Sequence, residues 1–182
     1  MKVKVHKVTI QIVRDDLFDL PVTALVSETN TNLNLSPILL SRAGLGIQRE
    51  ISLVGYSEVG SAVMTSGGGL KAKQILHAVS PRWGEGSERG KLASAVFECL
   101  RLCEQHKLKS VAFPALSTGA NGYPIENCAA TMLSQIIDFT FEDLRSLRGI
   151  WLSMPEDIPY AVFTQELARQ IEDLDADAVS QV

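Results

Sequence analysis

Cysteine is scarce in this chain: Cys99, Cys103 and Cys128 are its three thiols, and no CxxC spacing occurs. An odd number without such a pair argues against both a disulfide framework and a structural zinc site. Cys99, Cys103 and His106 fall at i, i+4 and i+7 of one helical face, a spacing able to hold a metal. Val96, Leu100 and Leu102 crowd the same stretch, so the thiols read as small core hydrophobes, and no metal or cofactor is expected. Positive charge is also in short supply, with 17 Lys and Arg against 21 Asp and Glu and a formal net charge of −4. That balance argues against direct nucleic-acid binding, which relies on a basic stripe, but leaves room for a small anion held by backbone N–H groups. No apolar run is long enough to span a bilayer. The opening Met1-Lys2-Val3-Lys4-Val5-His6 alternates instead of forming a secretory signal, so a cytoplasmic, non-membrane protein is expected.

What is present suits one globular domain. The chain has 182 residues, 46% of them hydrophobic, which allows one real core and leaves little for a second. The expected domain covers residues 1–174, and an acidic tail at 175–182, with Asp175 and Asp177, is expected to fray. No feature of the sequence specifies an oligomeric state.

The most informative stretch runs from Val111 to Pro124. Val111-Ala112-Phe113-Pro114-Ala115-Leu116 reads as a strand buried on both faces, and Ser117-Thr118-Gly119-Ala120-Asn121-Gly122 as a loop of small residues. Pro124 suits the first position of a helix whose apolar residues Ala129, Met132, Leu133, Ile136 and Ile137 recur at helical spacing. A loop that empties onto a helix N-terminus offers free N–H groups to an anion, although the same layout also serves as an ordinary strand-to-helix turn.

The rest of the chain alternates strands and helices. Residues 2–13 read as one strand with a slip near Lys7 that suggests a bulge, and Val22 to Ser27 as the next strand. Ser36-Pro37 looks like a helix start, and a helix is expected over Ile38 to Ile51, weakened by Gly44 and Gly46. Gly60 to Met64 and Ala72 to Val79 form two strands. Gly67, Gly68 and Gly69 lie between them and precede no helix, so they read as a hairpin turn and not as a phosphate loop. His77 within its apolar strand reads as a core group. Helices at Arg89 to His106 and Tyr160 to Leu174, with a strand at Arg148 to Met154, complete an α/β pattern with a mostly parallel sheet.

Taken together, several stretches resemble a macrodomain, the α/β/α module that binds ADP-ribose. They are Asp15-Asp16-Leu17, Glu28-Thr29-Asn30, Ile75 through Trp83, and Ala112-Phe113-Pro114 through Tyr123-Pro124. Thr29-Asn30-Thr31, Gly69-Leu70-Lys71 and Asn121-Gly122-Tyr123-Pro124 are most similar to the macro-histone type, here in freestanding form. The resemblance implies a three-layer α/β/α macrodomain-like fold with a mixed, mostly parallel central sheet. It also implies ligand-binding roles. Asp16 would accept from the adenine amino group beside Leu17, Ser117, Thr118, Gly119, Ala120, Asn121 and Gly122 would wrap the diphosphate, Tyr123 would also belong to the ligand-binding set, and Asn30 would lie near the distal ribose. Pro155 would stand where relatives stack a Phe on adenine, and Asn121 where many carry an aromatic.

Two departures bear on activity. The glycine-rich loop that follows the Asn in hydrolytic relatives, and the acid that ends it, are replaced by Thr31-Asn32-Leu33-Asn34-Leu35-Ser36. Ser27 replaces the first Asn of the usual tetrad, and Glu28, at a strand end, is expected to point at water. The expected function is therefore non-catalytic binding of ADP-ribose, a related adenine nucleotide, or an ADP-ribosylated macromolecule. The alternatives are an ADP-ribosyl hydrolase or deacetylase using Glu28, and a degenerate domain serving as an interaction scaffold.

Overall fold

Alternation of apolar residues sets the first two strands, and the backbone between them decides how they pair. In the computed structural model, which describes residues 1–180, β1 (Lys2–Val5) and β2 (Val8–Val13) form an antiparallel hairpin with Val5 opposite Val8. The slip near Lys7 is thus a two-residue turn, not a bulge in one strand. His6 takes a left-handed φ of 52°, a geometry that matches the twist of paired strands.

After β2, Asp16 caps a 3-10 turn at Leu17–Asp19, and β3 (Ala24–Thr29) follows. The expected helix over Ile38 to Ile51 is two helices, α1 (Pro37–Ala43) and α2 (Gly46–Val54). Gly44 ends α1 at φ 86°, a conformation that costs glycine little and other residues more. Next come β4 (Ala62–Ser66), β5 (Gln74–Val79), α3 (Glu88–Gln105), β6 (Ser110–Phe113), α4 (Ile125–Phe139), β7 (Gly149–Ser153) and α5 (Asp157–Ser180). Helix α5 continues past Leu174 into the acidic tail, and residues 181 and 182 lie outside the described residues. Among the described residues no helix is long and apolar enough to cross a membrane.

The seven strands form one mixed sheet in the order β1-β2-β7-β6-β3-β5-β4, parallel from β2 to β5 and antiparallel at both edges. Helices α3, α4 and α5 cover one face, where Leu92, Val96, Met132 and Phe163 pack on Val26, Leu76 and Ile150. Leu39, Ala43 and Ile47 of α1 and α2 cover the other, over Leu25, Ile75 and Ala112. This is a three-layer α/β/α arrangement with buried apolar surface on both sides of the sheet. Cys99 and Cys103 are fully buried in the first layer, and burial pushes both thiols up, Cys103 to about 12, while His106 is exposed. The thiols are core residues.

One contact outside the sheet braces the α3 layer. The carboxylate of Glu104 in α3 accepts from the backbone N–H groups of Arg145, Ser146 and Leu147, the last two at 2.9 Å, and so closes the loop before β7. Burial works to raise its pKa, but the three N–H donors and nearby Arg148 outweigh burial and lower it. Glu104→Ala leaves these donors without that acceptor, and is expected to lower stability by about 2 kcal/mol in urea titrations at pH 7. Because the folded state depresses this pKa, the contribution is present above the ordinary carboxylate range and fades as pH falls through the depressed value. The difference between wild type and variant should therefore shrink in acid.

Candidate functional site

Strand pairing opens a crevice at one place in the sheet. β3 pairs with β5 along its whole length, from Ala24 opposite Gln74 to Thr29 opposite Val79. It pairs with β6 only at Ala24–Val111 and Leu25–Ala112, so the two neighbours part toward their carboxyl ends. At their amino ends Thr23 and Ser110 tie the strands together, with Thr23 N donating to Ser110 Oγ at 2.9 Å and Thr23 Oγ1 donating to Ser110 O at 2.7 Å. After β3 the chain crosses to the α1 face, and after β6 to the α4 face. Neighbouring parallel strands whose connections leave in opposite directions make the crevice where open α/β sheets take ligands.

A cavity of about 540 Å³ lies there, lined among others by Glu28, Asn30, Ser80, Arg82, Ala120 and Asn121. β6 ends at Phe113, so Pro114 to Leu116 already belong to the loop that borders it. Ser117 turns that loop with a left-handed φ of 66°, and among the described residues its buried Oγ has no partner. Tyr123 N donates to Ser117 O at 2.9 Å and Gly122 N to Gly119 O at 3.0 Å, which draws the loop into a closed bend. Among the described residues, the N–H groups of Thr118, Gly119, Ala120 and Asn121 have no acceptor in the protein. Helix α4 begins right after the loop, one residue past the expected Pro124, and no side chain caps it. Unclaimed N–H groups ahead of an uncapped helix N-terminus attract an anion without any lysine.

Two side chains brace this loop. The ring of Tyr123 is buried and meets Trp83 edge-on at 5.0 Å, so Tyr123 anchors the loop from below. Trp83 N donates to Asn121 O at 2.9 Å, and Asn121 Nδ2 to Ser80 Oγ at 3.3 Å, which locks the loops after β5 and β6 together.

Asn30 lines the cavity and also shapes its own loop: its Oδ1 accepts from Asn32 N at 3.1 Å and Asn34 N at 3.2 Å. Thr29 Oγ1 donates to Asn34 O at 2.8 Å, so the segment lacking glycines is held by local side-chain bonds. Asp16, Leu17 and Pro155 stand apart from this cavity, beyond the adjacent ends of β2 and β7. Val13 pairs with Ser153 there, Met154 N donates to Val13 O at 2.8 Å, and Ser153 Oγ donates to Asp15 O at 2.8 Å. Asp16 and Pro155 are exposed on this shelf; Asp16 Oδ1 accepts from Phe18 N at 2.8 Å, and among the described residues its second oxygen has no donor.

Glu28 departs from expectation. It does not point at water alone: it lines the cavity, and its carboxylate accepts from the N–H of Ser117. Alternation along β3 carried the signal, since Ala24 and Val26 are buried under the α3 and α4 layer and Glu28 continues that face at the strand's carboxyl end. Arg82 was legible too, three residues beyond the last residue of β5.

Comparison with known proteins agrees with this geometry. Residues 29–132 match the Macro domain family. The O-acetyl-ADP-ribose deacetylase of Salmonella typhimurium is 31% identical over 174 residues, which cover 88% of this chain and 90% of that protein. Macro domain-containing protein TTE0995 of Caldanaerobacter subterraneus is 31% identical over 169 residues, covering 87% and 95%. The solved structure of the Oceanobacillus iheyensis macrodomain with ADP superposes with a TM-score of 0.87 at 28% identity, over 95% of this chain and 97% of that one. By its sheet order, its crevice between β3 and β6 and these matches, the chain belongs to the macro domain family.

Proposed function

We propose that this chain is a cytoplasmic binding module for ADP-ribose, free or attached to a macromolecule, and that it turns its ligand over slowly or not at all. The observation that carries the reading is the row of unclaimed N–H groups from Thr118 to Asn121 beside the cavity; the separate shelf of Asp16, Leu17 and Pro155, at the ends of β2 and β7, would take the adenine. A diphosphate on the loop would let adenine reach the free oxygen of Asp16, and the distal ribose would enter the cavity between Asn30 and Asn121. Structural relatives solved with ADP and with ADP-ribose support the ligand class. Likeness to the macro-histone type in Thr29-Asn30-Thr31 and Asn121-Gly122-Tyr123-Pro124, and the missing acid in Thr31 to Ser36, support recognition over turnover.

Titration calorimetry with ADP-ribose tests this directly. A charge-assisted hydrogen bond is worth roughly 1.5–3 kcal/mol, so Asp16→Ala should weaken binding by about ten-fold to a hundred-fold. Equal affinity in wild type and variant would remove Asp16 from the site, and no binding at millimolar ligand would remove the function.

A second reading has specific support. Relatives named O-acetyl-ADP-ribose deacetylase are similar over most of the chain, and Glu28 places a carboxylate in the cavity where a hydrolytic water could be polarised. Turnover of O-acetyl-ADP-ribose by the wild type, lost in Glu28→Gln, would favour it.

A further inference from the structure

Glu28 brings negative charge into a loop otherwise built to receive it. Its side chain projects from the end of β3 on the α4 side of the sheet and takes one N–H of the loop, that of Ser117, next to the unclaimed amide of Thr118. The thiol of Cys128, in the first turn of α4, is raised by burial and secondarily by the charge of Glu28. The carboxylate thus occupies one amide of the loop that leads into α4. The other ionisable side chains lining the cavity are Arg82 and Glu85, both exposed, so the cavity holds two acids against one arginine.

An ionised carboxylate only accepts hydrogen bonds, and one lone pair of Glu28 is spent on Ser117. Its remaining lone pairs call for donors from the cavity side. A sugar diol supplies two O–H donors and no charge. A phosphate supplies acceptors and negative charge, and meeting a carboxylate in a partly desolvated cavity is unfavourable.

We propose that Glu28 is a specificity-determining residue: by occupying the Ser117 amide it makes the cavity accept a hydroxyl-bearing sugar beyond the diphosphate and turn away a third phosphate. This rests on the binding reading above, because it assumes that the diphosphate occupies the neighbouring Thr118 to Asn121 amides. Selection then comes from a repulsive element as well as an attractive one.

The experiment is calorimetric titration of wild type, Glu28→Gln and Glu28→Ala with ADP-ribose and with metal-free ATP, with thermal unfolding of each variant recorded alongside. Glutamine can still accept from Ser117 N but carries no charge, so Glu28→Gln isolates the electrostatic effect. Wild type should bind ADP-ribose more tightly than ATP, and Glu28→Gln should narrow that ratio by about ten-fold or more, chiefly by strengthening ATP. Glu28→Ala, which also frees the Ser117 amide, should narrow it at least as far, and it serves alone if the glutamine variant unfolds. An unchanged ratio in folded variants, or a wild type that prefers ATP, overturns the role of Glu28 while leaving ADP-ribose binding intact. Absence of binding by either nucleotide to all three proteins overturns the binding reading, and this inference with it.

Discussion

Gly67→Ala is expected to lower stability by about 4 kcal/mol, enough to lower Tm by roughly 10 °C in a domain of this size. A Cβ built at Gly67 would sit 1.9 Å from the carbonyl oxygen of Ala72 and 2.9 Å from its carbon, both backbone atoms that cannot rotate away. The contact follows from how the β4–β5 hairpin closes, with Gly67 N donating to Lys73 O at 2.8 Å across the mouth of the turn. Gly68 is equally constrained from the other side: its φ is 55°, and a Cβ would lie 2.2 Å from Ala43 O. Gly69 N donates to that same Ala43 oxygen at 2.8 Å, so the glycine turn caps the end of α1. Gly46→Ala supplies the comparison. A Cβ there meets nothing within 4 Å, and stability should stay within about 1 kcal/mol of wild type. Thermal and urea unfolding of the three proteins would decide it, and a Gly67→Ala protein as stable as Gly46→Ala would mean the hairpin does not close this tightly.

The same turn also bears on the ligand site. By fixing the end of α1, it holds the helix that starts at Pro37, just after the Asn30 to Ser36 wall of the cavity. That wall has no glycines to lend it freedom and is held by Asn30 and Thr29 through their own side chains. A rigid wall facing a loop with free amides makes a preformed site, one that does not have to spend binding energy on ordering itself. The shape of the cavity therefore depends on structural residues outside its lining.

Much of this was legible from residue order, for identifiable reasons. The buried run from Val111, the small residues of the loop and the helical spacing after Pro124 are local signals; the strand and the helix formed there, although the strand stops at Phe113, short of the expected Leu116. The segments misread are those where distant contacts decide. Residues 2–13 carry a strand pattern throughout, and only the left-handed turn at His6 folds them back on themselves. Gly44 and Gly46 weaken a helix in either case; the break falls at Gly44 with its positive φ, and Gly69, distant in sequence, donates to the last carbonyl of α1 at Ala43. Glu28 looked like a solvated strand end because its partner, the Ser117 amide, lies 89 residues away along the chain. Pairing of β3 with β6 for only two residues, which opens the crevice, leaves no local trace at all.

His77 is expected to make the fold acid-sensitive from about pH 6.5 downward, starting above the range where carboxylates titrate. Its ring lies on the α2 side of β5, fully buried, with Nε2 bonded to Thr65 Oγ1 at 2.8 Å and Nδ1 without a partner among the described residues. Burial lowers its pKa to about 4, only partly offset by the charge of Glu50, which is itself held by Ser66. In the unfolded chain the same imidazole titrates near 6.5, so between these values the unfolded state binds more protons than the folded one. The stabilisation from keeping His77 neutral is complete above about 6.5 and is lost as pH falls toward 4, a total of about 3 kcal/mol. Urea titrations from pH 7 to pH 4 should show this slope, and His77→Leu should remove it. The variant should remain folded at pH 7, since leucine fits an apolar strand and Thr65 Oγ1 still donates to Ser66 O at 3.0 Å. Between pH 6.5 and 4 its stability should fall less steeply than that of wild type, by as much as about 1.4 kcal/mol per pH unit in the middle of the window. Parallel pH profiles for the two proteins would show that His77 is not held neutral by its surroundings, and would open the buried face of β5 to a different electrostatic account.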